Sequence, residues 1–401
     1  MSAPTGFAEH SPGGHALPAH IVSGSPQARQ PRKRRTGLLV GVVGTLVAVA
    51  VMGALQISAN LGYDDTRTEF DGARDTAQDT IEEVTLASDQ LVSTSDTATL
   101  LLDSDSGVLA DPTAKEALAA SITEAADTSA SADQVLDTAL PDAGAKPTIF
   151  WELFGASEGL RLDIQDLEDL DTELSEESPA LAEAETLVTD AGLAFLGSAA
   201  TAAASFEAAH VSAKNDDVIA LRDAASTAAG ASALDDSAVT TFVALQDAAA
   251  QVVASENAEL SEKAGPLQGV RLEIEAYARS LAPGVLLEFD WNPIVNSAGE
   301  NGSMGGRTTW WWDEPDRAVI ELSNSVAEQW PADRSKALVA HEVGHAISVK
   351  CEDMYDSSTQ DSIEKWATAW AISMGFTDDA NGVWAYGYPP QSYIDAAAGC
   401  R

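Results

Sequence analysis

The chain has 401 residues, of which 63 are acidic and 22 are basic, giving a formal net charge of −41. A negative field of this size repels nucleic acid, so the composition argues against a protein that binds DNA or RNA. Hydrophobic residues make up 45% of the chain, which excludes a protein disordered throughout, and the length fits two or three domains.

Residues 37–58 contain no charged side chain and form the first predicted element. As a helix this segment extends about 33 Å, enough to cross the hydrocarbon core of a bilayer. A basic block, Arg29–Arg35, precedes it, and acidic residues follow from Asp64. The positive-inside rule then predicts a single-pass membrane protein with a cytoplasmic N-terminus and an extracytoplasmic remainder.

Residues 1–36 are rich in Pro, Gly, Ser and His and are predicted to be a disordered cytoplasmic tail. A cleaved signal peptide is the alternative to a membrane anchor, with small residues near Ser58–Ala59 as the cleavage site. The long N-terminal region and the long apolar run favour the anchor.

Residues 60–281 are dominated by Ala, Asp, Glu, Thr, Ser and Leu, with apolar residues at three- and four-residue steps. This pattern predicts an acidic, extracytoplasmic bundle of several antiparallel helices. The steps are Ala-rich rather than strict heptads, which argues against a long coiled coil. Phe150, Trp151 and Phe154 are expected to fill the core between helices. Breaks are predicted near residues 107–112, 141–147, 179 and 265–266, where Pro or Gly occur.

Composition changes at Pro283, where aromatic residues and β-type runs begin. The sequence therefore predicts a small α+β domain over residues 284–401 in a protein that is otherwise mainly α. Trp310–Trp312 cannot all point to one side of a strand, so at least one is expected to meet solvent, lipid or a ligand. A turn is predicted at Asp313–Arg317. The predicted strands are Val285–Trp291, Thr308–Trp312 and Ala318–Leu322.

Residues 341–345 read His-Glu-Val-Gly-His, the pattern H-E-x-x-H, within a predicted helix that starts with Asp333 as its N-cap. On a helix His341 and His345 lie one turn apart on the same face, so both imidazoles can bind one metal ion. Glu342 is rotated by about 100° from His341. It is thus placed to accept a proton from water at the metal, and the motif predicts a zinc metallopeptidase.

A third ligand is required, because two histidines leave a zinc site incomplete. No histidine follows His345, which excludes the metzincin pattern. A carboxylate from a later helix is therefore expected, and residues 361–371 have the apolar spacing of a helix that packs on the first. Glu364 is the preferred ligand, and Asp361, one turn earlier on nearly the same face, is the alternative.

The order of strand, hairpin, H-E-x-x-H helix and a second helix with Glu364-x-x-Ala367 resembles the gluzincin-type minimal metallopeptidases, in particular the ImmA/IrrE-like group. The resemblance covers about residues 285–375 and implies a minimal zincin fold. Thr368 departs from it, since that group has an amide or an acid there, and the substrate does not carry over. For the site, the resemblance implies zinc bound by His341, His345 and Glu364, with Glu342 as the general base.

Amide hydrolysis also needs a donor that stabilises the oxyanion. Tyr386, Tyr388 and Tyr393 are the candidates, with packing roles as the alternative. The strand Ala318–Leu322 is the candidate edge for an extended peptide substrate.

Cys351 and Cys400 are the two cysteines of the chain, and outside the cell such a pair favours a disulfide. The sequence thus predicts a membrane-anchored, extracytoplasmic zinc peptidase that acts on peptides or proteins. The alternative is a non-catalytic cell-surface binding or scaffold protein with an inactive zincin domain. Intact Glu342 favours activity, because a purely structural zinc site does not need that carboxylate.

Overall fold

The computed structural model describes residues 36–401, with side chains from residue 44 onward. The predicted tail therefore lies outside the described residues, apart from its last position. The described chain is mainly helical with one three-stranded sheet near the C-terminus, as the sequence predicts. It divides into two units, residues 36–68 with 144–161, and residues 69–143 with 162–401.

The first unit contains the beginnings of two long helices, α1 (Thr36–Asp103) and α3 (Phe150–Ala209). The helix predicted over residues 37–58 is confirmed as part of α1, and residues 44–55 are exposed. By length and composition alone, α1 and α3 each contain a window apolar enough to cross a membrane. The window in α1 is 6% buried and that in α3 is 39% buried, so α1 offers the more exposed apolar surface.

The aromatic residues at the start of α3 do not fill a core, so this prediction is wrong. Trp151 and Phe154 are 57% and 47% exposed. In this unit the buried face of α3 is formed by Leu153, Ser157 and Leu160. Helical geometry turns Trp151 and Phe154 away from that face.

The prediction of antiparallel helices is wrong for the two longest ones, because in the second unit α1 and α3 pack in parallel. Thr80 Oγ1 donates to Asp171 Oδ1 over 2.5 Å, and Thr94 Oγ1 donates to Glu185 Oε1 over 3.4 Å. Each bond joins residues 91 positions apart, and a constant offset means that the two helices run in the same direction.

Both helices also bury a residue at every seventh position in this unit, the repeat of a coiled coil. The prediction that strict heptads are lacking is therefore wrong. The second heptad position of α1, three residues after each of these buried positions, is usually apolar in a coiled coil. Here it is occupied by small or polar residues, which hide the repeat in the sequence: Ala73, Thr80, Ala87 and Thr94. The buried series are Phe70, Ala77, Val84, Leu91 and Ala98 in α1, and Leu167, Leu174, Leu181, Val188 and Phe195 in α3.

One predicted helix break is also wrong, because α3 continues through Pro179. Proline removes a backbone hydrogen bond from a helix interior. Here Pro179 is exposed, and Leu174 and Leu181 are buried on either side of it. Burial of the heptad positions outweighs the lost bond.

Four more helices precede the sheet in this unit: α2 (Pro112–Leu136), α4 (Asn215–Ala229), α5 (Asp236–Glu262) and α6 (Gln268–Leu281). Two of them begin after an aspartate whose side chain accepts backbone N–H groups of the first turn. Asp111 caps α2 and Asp235 caps α5.

The sheet consists of β1 (Leu286–Asn292), β2 (Gly306–Trp311) and β3 (Glu314–Ser323), which confirms the three predicted strands. The order is β1-β3-β2, with β3 parallel to β1 and antiparallel to β2. The prediction that residues 318–322 form an edge is therefore wrong, because β1 pairs with the far side of β3. The turn is also shorter than predicted, since β3 begins at Glu314, and the register shifts between Trp310 and Trp311.

The sheet is followed by α7 (Asn324–Glu328), α8 (Asp333–Ser348), α9 (Gln360–Ser373), α10 (Val383–Tyr386) and α11 (Gln391–Ala397). Asp333 is the first residue of α8 rather than its N-cap, which is Ala332 without a side-chain bond. The cap prediction is wrong by one residue, because Ala332 has the extended backbone of a cap (φ −61°, ψ 150°) and Asp333 is already helical. The carboxylate still lies in the first turn, where negative charge stabilises a helix.

The predicted disulfide between Cys351 and Cys400 is present, with a Cα–Cα distance of 6.0 Å. Cys351 follows α8, and Cys400 is the penultimate residue. Trp370 of α9 donates its indole N–H to the carbonyl oxygen of Cys400 over 2.9 Å. The disulfide and this bond attach the end of the chain to the two central helices of the domain.

Candidate metal centre

The candidate site lies where α8 packs on α9. Gly344 of α8 allows the close approach, since a Cβ atom there would lie 2.8 Å from the carbonyl oxygen of Ala367 and 3.0 Å from its Cα. His341 and His345 share the face of α8 that meets α9, as their spacing of four residues requires. Glu364 is on the opposing face of α9. All three residues are buried, with 5%, 4% and 9% of their surface exposed.

Three potential ligand atoms converge at this point. His341 Nε2 and His345 Nε2 are 3.2 Å apart, and Glu364 Oε2 lies 3.2 Å from the first and 3.1 Å from the second. Such a set, within 4.8 Å of one another, can hold a metal ion. This confirms the predicted grouping of the two histidines with Glu364.

Asp361, the alternative third ligand, is directed elsewhere. Its side chain is 71% exposed and pairs with Lys365 over 2.7 Å. One turn of helix separates it from Glu364, and the packing of α9 on α8 places the later residue against the histidines.

Each oxygen of Glu364 has a different neighbour. Gln360, one turn earlier on α9, donates from Nε2 to Oε1 over 2.8 Å, which leaves Oε2 for the histidines. Burial raises the pKa of Glu364, but the hydrogen bonds with His341 and His345 and their charges outweigh it, so its pKa is lowered overall. The carboxylate is thus held in its charged, metal-binding form.

The two imidazoles are oriented in different ways. Thr368 Oγ1 donates to the backbone oxygen of Glu364 over 2.8 Å and lies 3.4 Å from Nδ1 of His341. A proton on Nδ1 directed at Thr368 leaves the lone pair on Nε2 free for a metal. His345 is instead stacked on the indole of Trp310, with centroids 5.3 Å apart and an interplanar angle of 7°.

The three consecutive tryptophans confirm the prediction that they cannot all face one way. Trp310 stacks on His345, and Trp311 lies under Arg317, with Cζ 4.1 Å from the ring centroid. Trp312 is 44% exposed.

Glu342 is buried beside the ligand group and contacts β2. Its Oε2 atom and its backbone oxygen lie 2.7 Å and 3.0 Å from the hydroxyl of Thr308. Gly306 completes this contact, since a Cβ atom there would lie 2.7 Å from the carboxyl carbon of Glu342. Burial raises the pKa of Glu342 to about 7, against the opposing effects of His341 and Thr308. Such a carboxyl group can both accept and release a proton near neutral pH.

The three candidate tyrosines lie in different environments. Tyr386 belongs to the site, with its ring stacked on that of His341 at 5.9 Å and 13°. Burial and the charges of Glu364 and Glu342 raise the pKa of Tyr386 to about 12, so it stays a hydrogen-bond donor. Tyr388 is 66% exposed. Tyr393 bonds to Ser362 over 2.7 Å and packs against Trp366, so it fills a structural role.

Gly382 is the residue that brings Tyr386 to the site. It has φ of +105°, and a Cβ atom there would lie 2.7 Å from Nδ1 of His341. A residue with a side chain would be strained by this φ and would also collide with the imidazole. The sequence alone gives no sign of this role, nor of those of Thr308 and Gly306, which depend on the pairing of distant segments. Gln360 could have been found, since it stands one turn before Glu364.

The sequence was compared with protein families, with curated proteins and with solved structures, and no match was found.

Proposed function

We propose that this protein is a membrane-anchored, extracytoplasmic zinc metallopeptidase with a minimal zincin fold of the gluzincin type in residues 284–401. The observation that carries the proposal is the convergence of His341 Nε2, His345 Nε2 and Glu364 Oε2 within 3.2 Å of one another. The buried carboxylate of Glu342 lies beside them.

The donor set fits zinc. Two imidazoles and one carboxylate form a known catalytic zinc set that leaves a fourth position open. Ligand atoms at about 2.0–2.1 Å from a tetrahedral ion are about 3.3 Å apart, close to the 3.1–3.2 Å separations here. Three lone-pair acceptors facing one another repel unless a cation or shared protons lie between them, which also favours a metal. When bound, zinc acts as a Lewis acid that polarises a carbonyl group and makes water more acidic.

The residues of the chain have distinct roles in peptide hydrolysis. Glu342 takes a proton from the attacking water and delivers it to the leaving amine. Thr308 fixes the carboxylate of Glu342 by a hydrogen bond to Oε2. Tyr386 is the tyrosine placed to donate a hydrogen bond to the oxyanion, since it stacks on His341.

Strand β2 is the edge that supports a peptide substrate. It carries Thr308 and Gly306, which contact Glu342, and it pairs with β3 on one side. An extended peptide added to the other side of β2 would form backbone hydrogen bonds and pass the site.

The start of α1 supports the proposed location. Residues 37–58 lack charge, follow a basic block and are exposed from residue 44 to residue 55. A helical segment of this length and composition is stable in a bilayer, with the basic block on the cytoplasmic side. The disulfide between Cys351 and Cys400 suits an oxidising, extracytoplasmic compartment.

The experiment compares zinc content and hydrolysis of a casein panel by the full chain in detergent with those of Glu342→Gln. The proposal expects one zinc per chain in both proteins and turnover lost in the variant. Asp361→Asn is the matched control, because its carboxylate is exposed, and it should retain both properties. Zinc without turnover in the unmodified protein would favour the alternative, a non-catalytic binding or scaffold protein.

A further inference from the structure

The start of α3 presents an exposed apolar cluster made of Ile149, Trp151 and Phe154. These side chains are 37%, 57% and 47% exposed. Phe150 lies between the two other aromatic rings, with centroids 4.9 Å from Trp151 and 6.4 Å from Phe154, both edge to face. Large aromatic residues clustered at a surface mark an interaction site more often than a solvated face.

The cluster is fixed beside the end of the uncharged segment. Gln56 of α1 donates from Nε2 to the carbonyl oxygen of Thr148 over 3.1 Å. It also accepts the backbone N–H of Phe150 at Oε1 over 2.9 Å. Gln56 lies within the uncharged residues 37–58, so the start of the cluster is level with the last turn of that segment, and Phe154 lies one turn further along α3. Ile57, 65% exposed, extends the apolar surface on α1.

Glu152, in the first turn of α3, is exposed beside the cluster, and further charged residues lie beyond this level in the same unit. Lys146 pairs with Asp64 over 2.6 Å and lies 5.5 Å from the ring of Tyr63. Gln56 and Asp64 are separated by about 12 Å along the helix axis, at 1.5 Å per residue. The surface thus changes from apolar to charged over the depth of the interface between hydrocarbon and water. Trp and other aromatic residues concentrate at that depth in membrane proteins.

We infer that Ile149, Trp151 and Phe154 form a second membrane contact, which inserts into the outer interfacial layer of the bilayer beside the span. This rests on the proposed membrane anchor, with the bilayer itself as the partner. The contact would hold the start of α3 at the lipid surface together with α1, so that two points rather than one fix the protein on the membrane.

The test places an environment-sensitive fluorophore on single introduced thiols of the full chain in phosphatidylcholine vesicles. Labelling is selective, because the described residues contain no free cysteine. The sites are Phe154→Cys in the cluster, Leu46→Cys in the span, and Leu187→Cys, an apolar position of α3 that is 44% exposed. Quenching by lipids with a nitroxide near the carbonyl end of the acyl chain is compared with unlabelled lipids.

The inference expects strong quenching at position 154, weaker quenching at position 46, which lies deeper in the bilayer, and none at position 187. Quenching at position 46 but not at positions 154 and 187 would overturn the inference and leave the anchor intact. Absence of quenching at all three positions would overturn the anchor and the inference together. An unquenched signal at 154 that shifts with the protein-to-lipid ratio would identify a second copy of the chain as the partner and overturn the lipid contact.

Discussion

Gln360 donates a hydrogen bond to one oxygen of Glu364 over 2.8 Å, and the other oxygen faces His341 and His345. The pair lies one turn apart on α9. The amide therefore determines which lone pairs of the carboxylate point into the site.

Replacing Gln360 with Ala should weaken metal binding by about 10–100-fold, the usual effect of losing a side chain that orients a ligand. Competition with a chelating dye on the full chain measures the affinity. Asp361→Asn is the control, because that carboxylate is 71% exposed and pairs with Lys365. Equal metal affinities for Gln360→Ala and the unmodified protein would show that Gln360 does not orient Glu364.

Thr308→Val removes the hydroxyl that bonds to Oε2 of Glu342 at 2.7 Å while keeping the shape of the side chain. Peptide hydrolysis should fall by about 10–100-fold with the zinc content unchanged. Thr308→Ser, which keeps the hydroxyl, should restore most of the rate. A Val variant as active as the unmodified protein would show that Glu342 needs no such partner.

Gly344→Ala should destabilise the domain by about 1–3 kcal/mol, the usual cost of overpacking. The added Cβ would meet the backbone of Ala367 at 2.8 Å and 3.0 Å, and backbone atoms cannot rotate away. Gly197→Ala in α3 is the control, since nothing lies within 4 Å of its Cβ position. That change should stabilise the protein by about 0.4–1 kcal/mol. Urea denaturation of the metal-free protein measures both.

Removing the disulfide by Cys351→Ala with Cys400→Ala should lower the free energy of unfolding by about 4 kcal/mol, the chain-entropy value for a loop of this size. The two cysteines are 49 positions apart. Chemical reduction of the unmodified protein should give a similar loss in urea denaturation. A double variant as stable as the oxidised protein would show that packing around Trp370 suffices to hold the C-terminus.

The sequence predicts the metal-binding group well because its geometry is local. A spacing of four residues places His341 and His345 on one helical face, and a single amphipathic helix then supplies Glu364. The partners of Glu342 could not be predicted, because Thr308 and Gly306 reach it only through the packing of β2 on α8. The central position of β3 was missed for a similar reason, since it depends on pairing with the distant strand β1.

The helical region shows a different limit of prediction from the sequence. The apolar steps predict helices, but the coiled-coil repeat is hidden by Thr and Ala at alternate positions, such as the half-buried Thr80 and the buried Thr94. These threonines bond to carboxylates on α3, so polar contacts take the place of apolar ones. At Pro179 the prediction fails in another way. Local propensity predicts the end of a helix there, but tertiary packing keeps α3 continuous.

The most direct test of the account is zinc K-edge absorption spectroscopy of the full chain, together with its metal content. We expect one zinc ion with two imidazoles and one carboxylate at about 2.0–2.1 Å. Glu364→Ala should lose the carboxylate signal and most of the bound metal. A protein that binds no zinc, or a Glu364→Ala variant with an unchanged spectrum, would contradict the central claim.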